Sequence, residues 1–169
     1  MQILAGRYKG VNIQTSAKSK YRPTQSKVRK SLFDILGDLS DKTVIDLYSG
    51  SGILGFEALS RMAKSVIFVE TNKNLVQLLH KNCLKIDLQN CIIKKIDVYK
   101  FLREKHSADL ILVDPPYGEK DLNLLINLCL NMLNPDGILV LETSTKDEHI
   151  KADSKRIYGS TRLSFWRKQ

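Results

Sequence analysis

The sequence is poor in cysteine, and the little it has builds nothing. Cys83, Cys91 and Cys129 are odd in number and none stands in a Cys-x-x-Cys. A disulfide framework or a zinc site is therefore not expected, and reduced, largely buried thiols are. Long apolar runs are also missing. Stretches such as 110–113 and 138–141 are far too short to span a bilayer. The opening Met1-Gln2-Ile3-Leu4-Ala5-Gly6-Arg7 meets a charge before a signal-peptide core can form, so a cytoplasmic location and no membrane partner are expected. His80, His106 and His149 lack metal-ligand spacing, and there is neither a Gly-x-Ser-x-Gly nor a Cys–His signature. No metal is expected. Internal repeats, low-complexity tracts and linkers are absent too.

What remains is a chain of 169 residues, 43% hydrophobic and 27% charged, enough for one domain with a real core. A monomer is expected. The net charge of +9 is unevenly spread: residues 1–42 carry +6, residues 43–142 carry −1 and residues 143–169 carry +4. Two basic ends flank a neutral middle. That pattern suits a polyanion-binding face as well as a merely solvated surface. Arg7, Lys9, Arg22, Thr24, Lys27 and Arg29 are the candidate nucleic-acid contacts of the first basic end.

Strand-like and helix-like patterns alternate through the middle. Residues 43–47, 66–69, 91–94, 110–113 and 138–141 are short, β-branched and nearly all apolar, as strands buried on both faces are. Between the second and third, Leu75, Leu79, Cys83 and Ile86 recur at helical spacing after a possible cap at Asn72. Residues 122–133 are apolar except for Asn123, Asn127 and Asn131, one polar stripe on a helix that should lie flat on a sheet. Asn134-Pro135-Asp136-Gly137 then reads as a type I turn. Alternating strands and helices predict a doubly wound α/β domain. Ahead of it, Pro23-Thr24 should open a helix with Val28, Leu32, Ile35 and Leu36 inward and Lys27 and Lys30 outward. Residues 2–13 suggest a hairpin around Gly6 and Gly10. Residues 156–158 and 162–166, around Gly159-Ser160, suggest a closing antiparallel hairpin. The domain thus reads as a basic N-terminal hairpin and helix (1–42) followed by the core (43–169).

After the first strand comes Asp46-Leu47-Tyr48-Ser49-Gly50-Ser51-Gly52-Ile53-Leu54-Gly55, with Gly50, Gly52 and Gly55 in Gly-x-Gly-x-x-Gly spacing. Such a loop lets a ligand approach the backbone at a helix N-terminus. Glu70 ends the next strand, where a carboxylate can accept from both hydroxyls of a ribose. The loop lacks the Lys-Ser/Thr of a phosphate-binding P-loop. Asp46, at the strand end, would repel a pyrophosphate but attract the sulfonium and ammonium of S-adenosylmethionine. The plainer role for it is to brace the loop or cap the helix. Asp97, after the third strand, could reach an adenine amino group, cap the helix that follows, or do both. Ser49, Thr71 and Val98 flank these positions and complete the candidate cofactor set.

The most specific feature is Asp114-Pro115-Pro116-Tyr117 after the fourth strand. An exocyclic amine on a base presents two N–H donors and a delocalised lone pair, so a site that methylates it needs two acceptors and an aligned methyl group. Asp114 offers one acceptor and the Pro115 carbonyl the other. Pro115 and Pro116 bring no competing N–H and stiffen the corner. Tyr117 offers a face for the base to stack on. A rigid strand-ending turn is the plainer reading, but the placement opposite the glycine loop argues for the chemical one.

The glycine-loop segment 46–61 resembles motif I of the RsmD-type 16S ribosomal RNA guanine-N2 methyltransferases. The segment 22–36, opening Arg22-Pro23-Thr24 and ending at Leu36, resembles that family's Arg-Pro-Thr helix, Ile3-Leu4-Ala5-Gly6-Arg7-Tyr8-Lys9-Gly10 its opening hairpin, and Val113-Asp114-Pro115-Pro116-Tyr117 its catalytic motif. The resemblance covers nearly the whole chain. It implies a Rossmann-like class I methyltransferase fold with a mostly parallel seven-stranded sheet in the order 3-2-1-4-5-7-6. It implies S-adenosylmethionine as donor, held by Gly50 and Gly52 at the methionine portion, Glu70 at the ribose and Asp97 at the adenine. The implied acceptor is a guanine N2 amine of 16S rRNA in an assembling small subunit. Segment 143–156 departs mildly, being short and lysine-rich. The rivals are an adenine-N6 or cytosine-N4 methyltransferase, an NAD-dependent oxidoreductase and a silent RNA-binding domain. Asp46 and Asp114 speak against the oxidoreductase, and the intact Asp114–Tyr117 motif against the silent domain.

Overall fold

The structure, a computed structural model, describes residues 1–15, 26–86, 90–116, 118–119, 121–147 and 150–169. In chain order the elements are α1 (Ser26–Leu36), β1 (Thr43–Leu47), α2 (Ile53–Ser60), β2 (Ser65–Glu70), α3 (Lys73–Lys85), β3 (Cys91–Lys95), α4 (Val98–Phe101), β4 (Ala108–Val113), α5 (Leu122–Met132), β5 (Leu133–Ser144), β6 (Ser154–Tyr158) and β7 (Thr161–Arg167). The strands form one sheet of seven in the order β3-β2-β1-β4-β5-β7-β6. β3 through β5 are parallel, and β7 runs antiparallel to both β5 and β6. Fold and strand order are as the resemblance implied. Among the described residues no helix is long and apolar enough to cross a membrane.

The apolar strands are buried on both faces because alternate side chains enter different cores. Val44, Leu110 and Leu112 pack under α1, α2 and α3 with Leu32, Phe33, Phe56 and Leu79. Ile45, Ile111 and Val113 pack under α4 and α5 with Phe101, Leu125, Ile126 and Cys129. Asn72 caps α3, its side chain accepting from the Asn74 and Leu75 N–H groups. On α5, Asn123, Asn127 and Asn131 face solvent as one stripe. The crevice of the sheet lies where the chain order reverses, at the carboxyl ends of β1 and β4.

Residues 2–13 fold back as the hairpin expected, with an antiparallel bridge between Gln2 and Asn12, Ile3 N–H donating to the Val11 carbonyl, Gly10 N–H to the Ile3 carbonyl and Ile13 N–H to the Met1 carbonyl. Its turn is tied to α2: Leu4 and Ala5 donate to Glu57, and Arg7 and Tyr8 to Ser60. Three local expectations are corrected. Ile35, expected inward, is 45% exposed, while Phe33 is fully buried in its stead. The turn at 134–137 is not type I, since Asp136 takes φ 61°. It bulges out of β5 between the pairs Ala108–Leu133 and Leu110–Ile138, held by Asn134 donating to Asp109 and by Asp136 donating to the Lys168 carbonyl. Arg29, expected among the nucleic-acid contacts, is 1% exposed. Its guanidinium donates to the Gln2 carbonyl at 2.7 Å and lies 3.6 Å from the Glu57 carboxylate. Burial pulls this guanidinium below its usual range, and Glu57 opposes the shift. The start of the predicted helix, with Arg22, Pro23 and Thr24, lies outside the described residues, as do Tyr117 and His149.

Candidate active site

β1 runs out at Leu47, and the chain reverses through Tyr48 (φ 57°), Gly50 (φ 55°) and Gly52 (φ 79°) into α2. Gly52 is the N-cap and has no side chain to offer. The missing acceptor comes from the strand: Asp46 Oδ2 accepts from the Gly55 N–H at 3.0 Å. Asp46 thus braces the loop and faces the positive end of α2. Only 2% of it is exposed, and burial pushes its carboxyl well above the usual carboxylate range. The Gly55 N–H opposes that shift, whereas the nearby carboxylates of Asp114 and Glu70 add to it. The third glycine serves packing, because a Cβ at Gly55 would stand 2.3 Å from the Phe68 ring. Gly52 is equally crowded, by Leu79 and Phe56.

Glu70 ends β2 and sews the loop to that strand. Its Oε2 accepts from the Gly50 N–H at 3.0 Å, and its Oε1 from the Thr71 and Asn72 N–H groups at 2.8 and 2.9 Å. Ser49 is buried, its hydroxyl donating to the Asp46 and Val69 carbonyls. Asp97 is the N-cap of α4, accepting from the Lys100 N–H at 3.0 Å, and is itself exposed; Val98 behind it is buried. Asp114 and Pro115 are half-buried at the end of β4, and Pro116 is exposed. The structure therefore gathers Asp46, Ser49, Gly50, Gly52, Glu70 and Asp114 around one crevice, with Thr71 beside Glu70 and Asp97 and Val98 at the end of β3. The carboxylates of Asp114 and Glu70 stand close enough to Asp46 to disfavour its charge. That is a site for a cation, and a poor one for a pyrophosphate. The donor set fits the sulfonium and ammonium of S-adenosylmethionine.

Of the expected RNA contacts, Arg7, Lys9 and Lys27 are exposed and Arg29 is not. The sequence reading passed over three residues. Glu57, fully buried on α2, joins the N-terminal segment, Arg29 and Arg61 to the core. Asn82, also fully buried, donates to the Gln14 and Ser51 carbonyls and accepts from the Gln14 N–H. Glu119 accepts from two hydroxyls, Tyr48 at its Oε2 and Tyr99 at its Oε1, each at 3.0 Å. For Glu57 and Asn82 a signal was present, since each is polar on an apolar helix face. Glu119 stood in a loop with none.

A doubly wound sheet ending in an antiparallel β7, with a glycine loop and acidic residues at the ends of β1 and β2 and Asp-Pro-Pro after β4, defines a class I methyltransferase. The comparisons agree. The family model described as Conserved hypothetical protein 95 matches residues 1–167. The ribosomal RNA small subunit methyltransferase D of Escherichia coli K12 is 32% identical over 144 residues, 84% of this chain and 71% of that protein. A solved structure of a hypothetical protein from Thermus thermophilus superposes with a TM-score of 0.87 at 28% identity, covering 98% of both chains. The 16S rRNA N2 G1207 methyltransferase of T. thermophilus, solved with AdoMet and guanosine, shares the fold: TM-score 0.76 at 21% identity, over 90% of this chain and 45% of that one. The chain belongs to the RsmD-type methyltransferase family.

Proposed function

We propose that the protein transfers a methyl group from S-adenosylmethionine to the exocyclic N2 amine of a guanine in 16S rRNA, within an assembling small subunit. It acts as a monomer in the cytoplasm. The carrying observation is the joint placement of Asp114-Pro115-Pro116 and the Asp46–Glu70 loop on either side of one crevice. The named substrates of the E. coli and T. thermophilus relatives support it.

When bound, S-adenosylmethionine supplies an electrophilic methyl group on a sulfonium. Asp46 and Asp114 would supply negative charge toward that cation, which would offset the repulsion that Asp114 and Glu70 exert on Asp46. Glu70 holds the ribose hydroxyls with the lone pairs its three backbone donors leave. Asp97 takes the adenine amino group while still capping α4. Asp114 and the Pro115 carbonyl accept the two N–H groups of the target amine and turn its lone pair toward the methyl group. As positive charge develops on that nitrogen, Asp114 stabilises it. Tyr117, by sequence, stacks the base. Arg7, Lys9 and Lys27 offer exposed cations to the rRNA backbone.

Single-turnover methyl transfer to small-subunit rRNA tests this reading, with cofactor affinity measured separately. Asp114→Ala should slow transfer by roughly a hundred- to a thousandfold and leave cofactor binding far less affected. Asp114→Asn should be milder, since its amide oxygen still accepts. Normal transfer by Asp114→Ala would refute the mechanism. Mass spectrometry of rRNA from a strain lacking the gene identifies the base; loss of a methylated adenine or cytosine instead would refute the guanine assignment.

A further inference from the structure

Glu119 lies five residues beyond Asp114, where the sequence shows no motif, yet its carboxylate is held from two other parts of the fold. Tyr48 comes from the glycine loop after β1 and Tyr99 from α4 after β3, and each donates its hydroxyl to a different oxygen at 3.0 Å. The Tyr48 bond therefore crosses the mouth of the crevice between β1 and β4. The backbone takes part: the Glu119 N–H donates to the Pro116 carbonyl at 3.2 Å. Tyr99 also reaches the carbonyl of Asp121, the N-cap of α5, at 3.5 Å.

Tyr48 gives a second, independent indication. It is a bulky residue at φ 57°, in a loop that uses glycine at its other left-handed positions. Such a conformation is unfavourable for a residue with a Cβ and persists where surrounding contacts over-determine it. Here it aims the phenol across the crevice at Glu119. Burial, then the charge of Glu119, push the Tyr48 hydroxyl well above its usual range, and burial and Glu119 raise that of Tyr99 to about 12. Both phenols stay protonated and can donate throughout the physiological range.

We propose that Glu119 is a positioning residue for methyl transfer: by accepting from Tyr48 and Tyr99 it fastens the chain just beyond Asp114-Pro115-Pro116 to the cofactor loop and to α4, so that Asp114 is held at the reacting amine. β4 fixes this segment from in front, and Glu119 fixes it from behind. Between the two anchors stands Gly118, at φ 81° with open space where a Cβ would be. An error of about 1 Å in a reacting group can lower a rate on the order of a hundredfold. The inference rests on the reading of Asp114 given above.

The test uses Glu119→Ala, Glu119→Gln, Tyr99→Phe and the pair Tyr48→Phe/Tyr99→Phe. S-adenosylmethionine affinity is measured by calorimetry, and single-turnover transfer to small-subunit particles is measured at saturating cofactor. Glu119→Ala should slow transfer roughly ten- to a hundredfold, the scale of hydrogen bonds to a charged group, with affinity changed less than about threefold. Glu119→Gln, with one acceptor oxygen left, should fall between Glu119→Ala and the wild type. The double phenylalanine variant should match Glu119→Ala, and combining the two should add nothing further. Wild-type rates in Glu119→Ala, a loss confined to cofactor affinity, or multiplicative losses on combination would each overturn the proposal. If Glu119→Ala does not fold, Tyr99→Phe decides: a several-fold loss at saturating cofactor supports the anchor and none overturns it. Asp114→Ala in the same assay separates the two levels. If it transfers normally, the reading of the site fails; if it is inactive while Glu119→Ala is normal, only the anchor fails.

Discussion

Replacing Glu57 by glutamine should unfold more of this protein than any single change in the crevice. Glu57 has no exposed surface and receives four groups. Leu4 N–H donates to one oxygen at 2.8 Å; Ala5 N–H and Arg61 Nε donate to the other at 3.1 and 3.0 Å. Arg29, itself 1% exposed, lies 3.6 Å from the carboxylate. Glutamine fills the same volume but carries no charge and has one acceptor instead of two. It leaves the Arg29 cation buried without its counter-charge, and it turns an N–H donor toward at least one existing donor. Breaking a buried ion pair from one side costs about 3–5 kcal/mol, and an orphaned buried N–H about 1–3 kcal/mol. The two overlap, so about 3–5 kcal/mol is the expected loss. At roughly 2–4 °C per kcal/mol for a chain of this size, the melting temperature should fall by about 6–20 °C. Urea unfolding of Glu57→Gln, Arg29→Met and the double variant, followed by circular dichroism, is the assay. The double variant should be less destabilised than the sum of the singles, because no cation remains to be stranded. A loss under about 1 kcal/mol in Glu57→Gln, or strict additivity, would refute the account of Arg29 as a cation sustained by Glu57.

Other outcomes follow from the site. Asp46→Asn keeps an acceptor for the Gly55 N–H and removes a buried charge. Because the folded-state pKa of Asp46 is raised, the stability it contributes is full below its unfolded value, about 3.9, and is lost as the pH rises through the folded value. The variant should therefore melt higher than the wild type at pH 7, the gap should narrow on acidification, and S-adenosylmethionine should bind more weakly; a variant that melts lower at pH 7 would contradict this. Glu70→Ala should weaken cofactor binding by about 1.5–3 kcal/mol, and unchanged affinity by calorimetry would remove Glu70 from the site. Reversing Arg7, Lys9 and Lys27 together should lower rRNA affinity and flatten its salt dependence. Arg29 is left out of that set because it is buried, and an intact salt slope would make the three merely solubilising charges.

Much of the architecture is legible in residue order because its causes are local. A strand buried on both faces is apolar at nearly every position, so β1, β2 and β4 show as near-continuous runs. Asn72 lies directly ahead of the helix it caps, and Asn123, Asn127 and Asn131 show the exposed side of α5 by their spacing alone. The glycine loop and Asp114-Pro115-Pro116 are legible for the same reason, since each is a short segment whose backbone demands particular residues. Tertiary structure decided what depends on partners far along the chain. Arg29 and Lys27 carry the same charge two residues apart, yet one is buried and the other solvated. The difference is Glu57, 28 positions beyond Arg29, and helical spacing says nothing of a counter-charge on another element. Phe33 entered the core in place of Ile35 because that is where α1 faces the sheet. The turn of the opening hairpin found its acceptors on α2, at Glu57 and Ser60. Glu119 acquired its two tyrosines only when the ends of β1, β3 and β4 were brought together. Spacing reports which face of an element is apolar; which charge is buried, and against what, is set by where the elements meet.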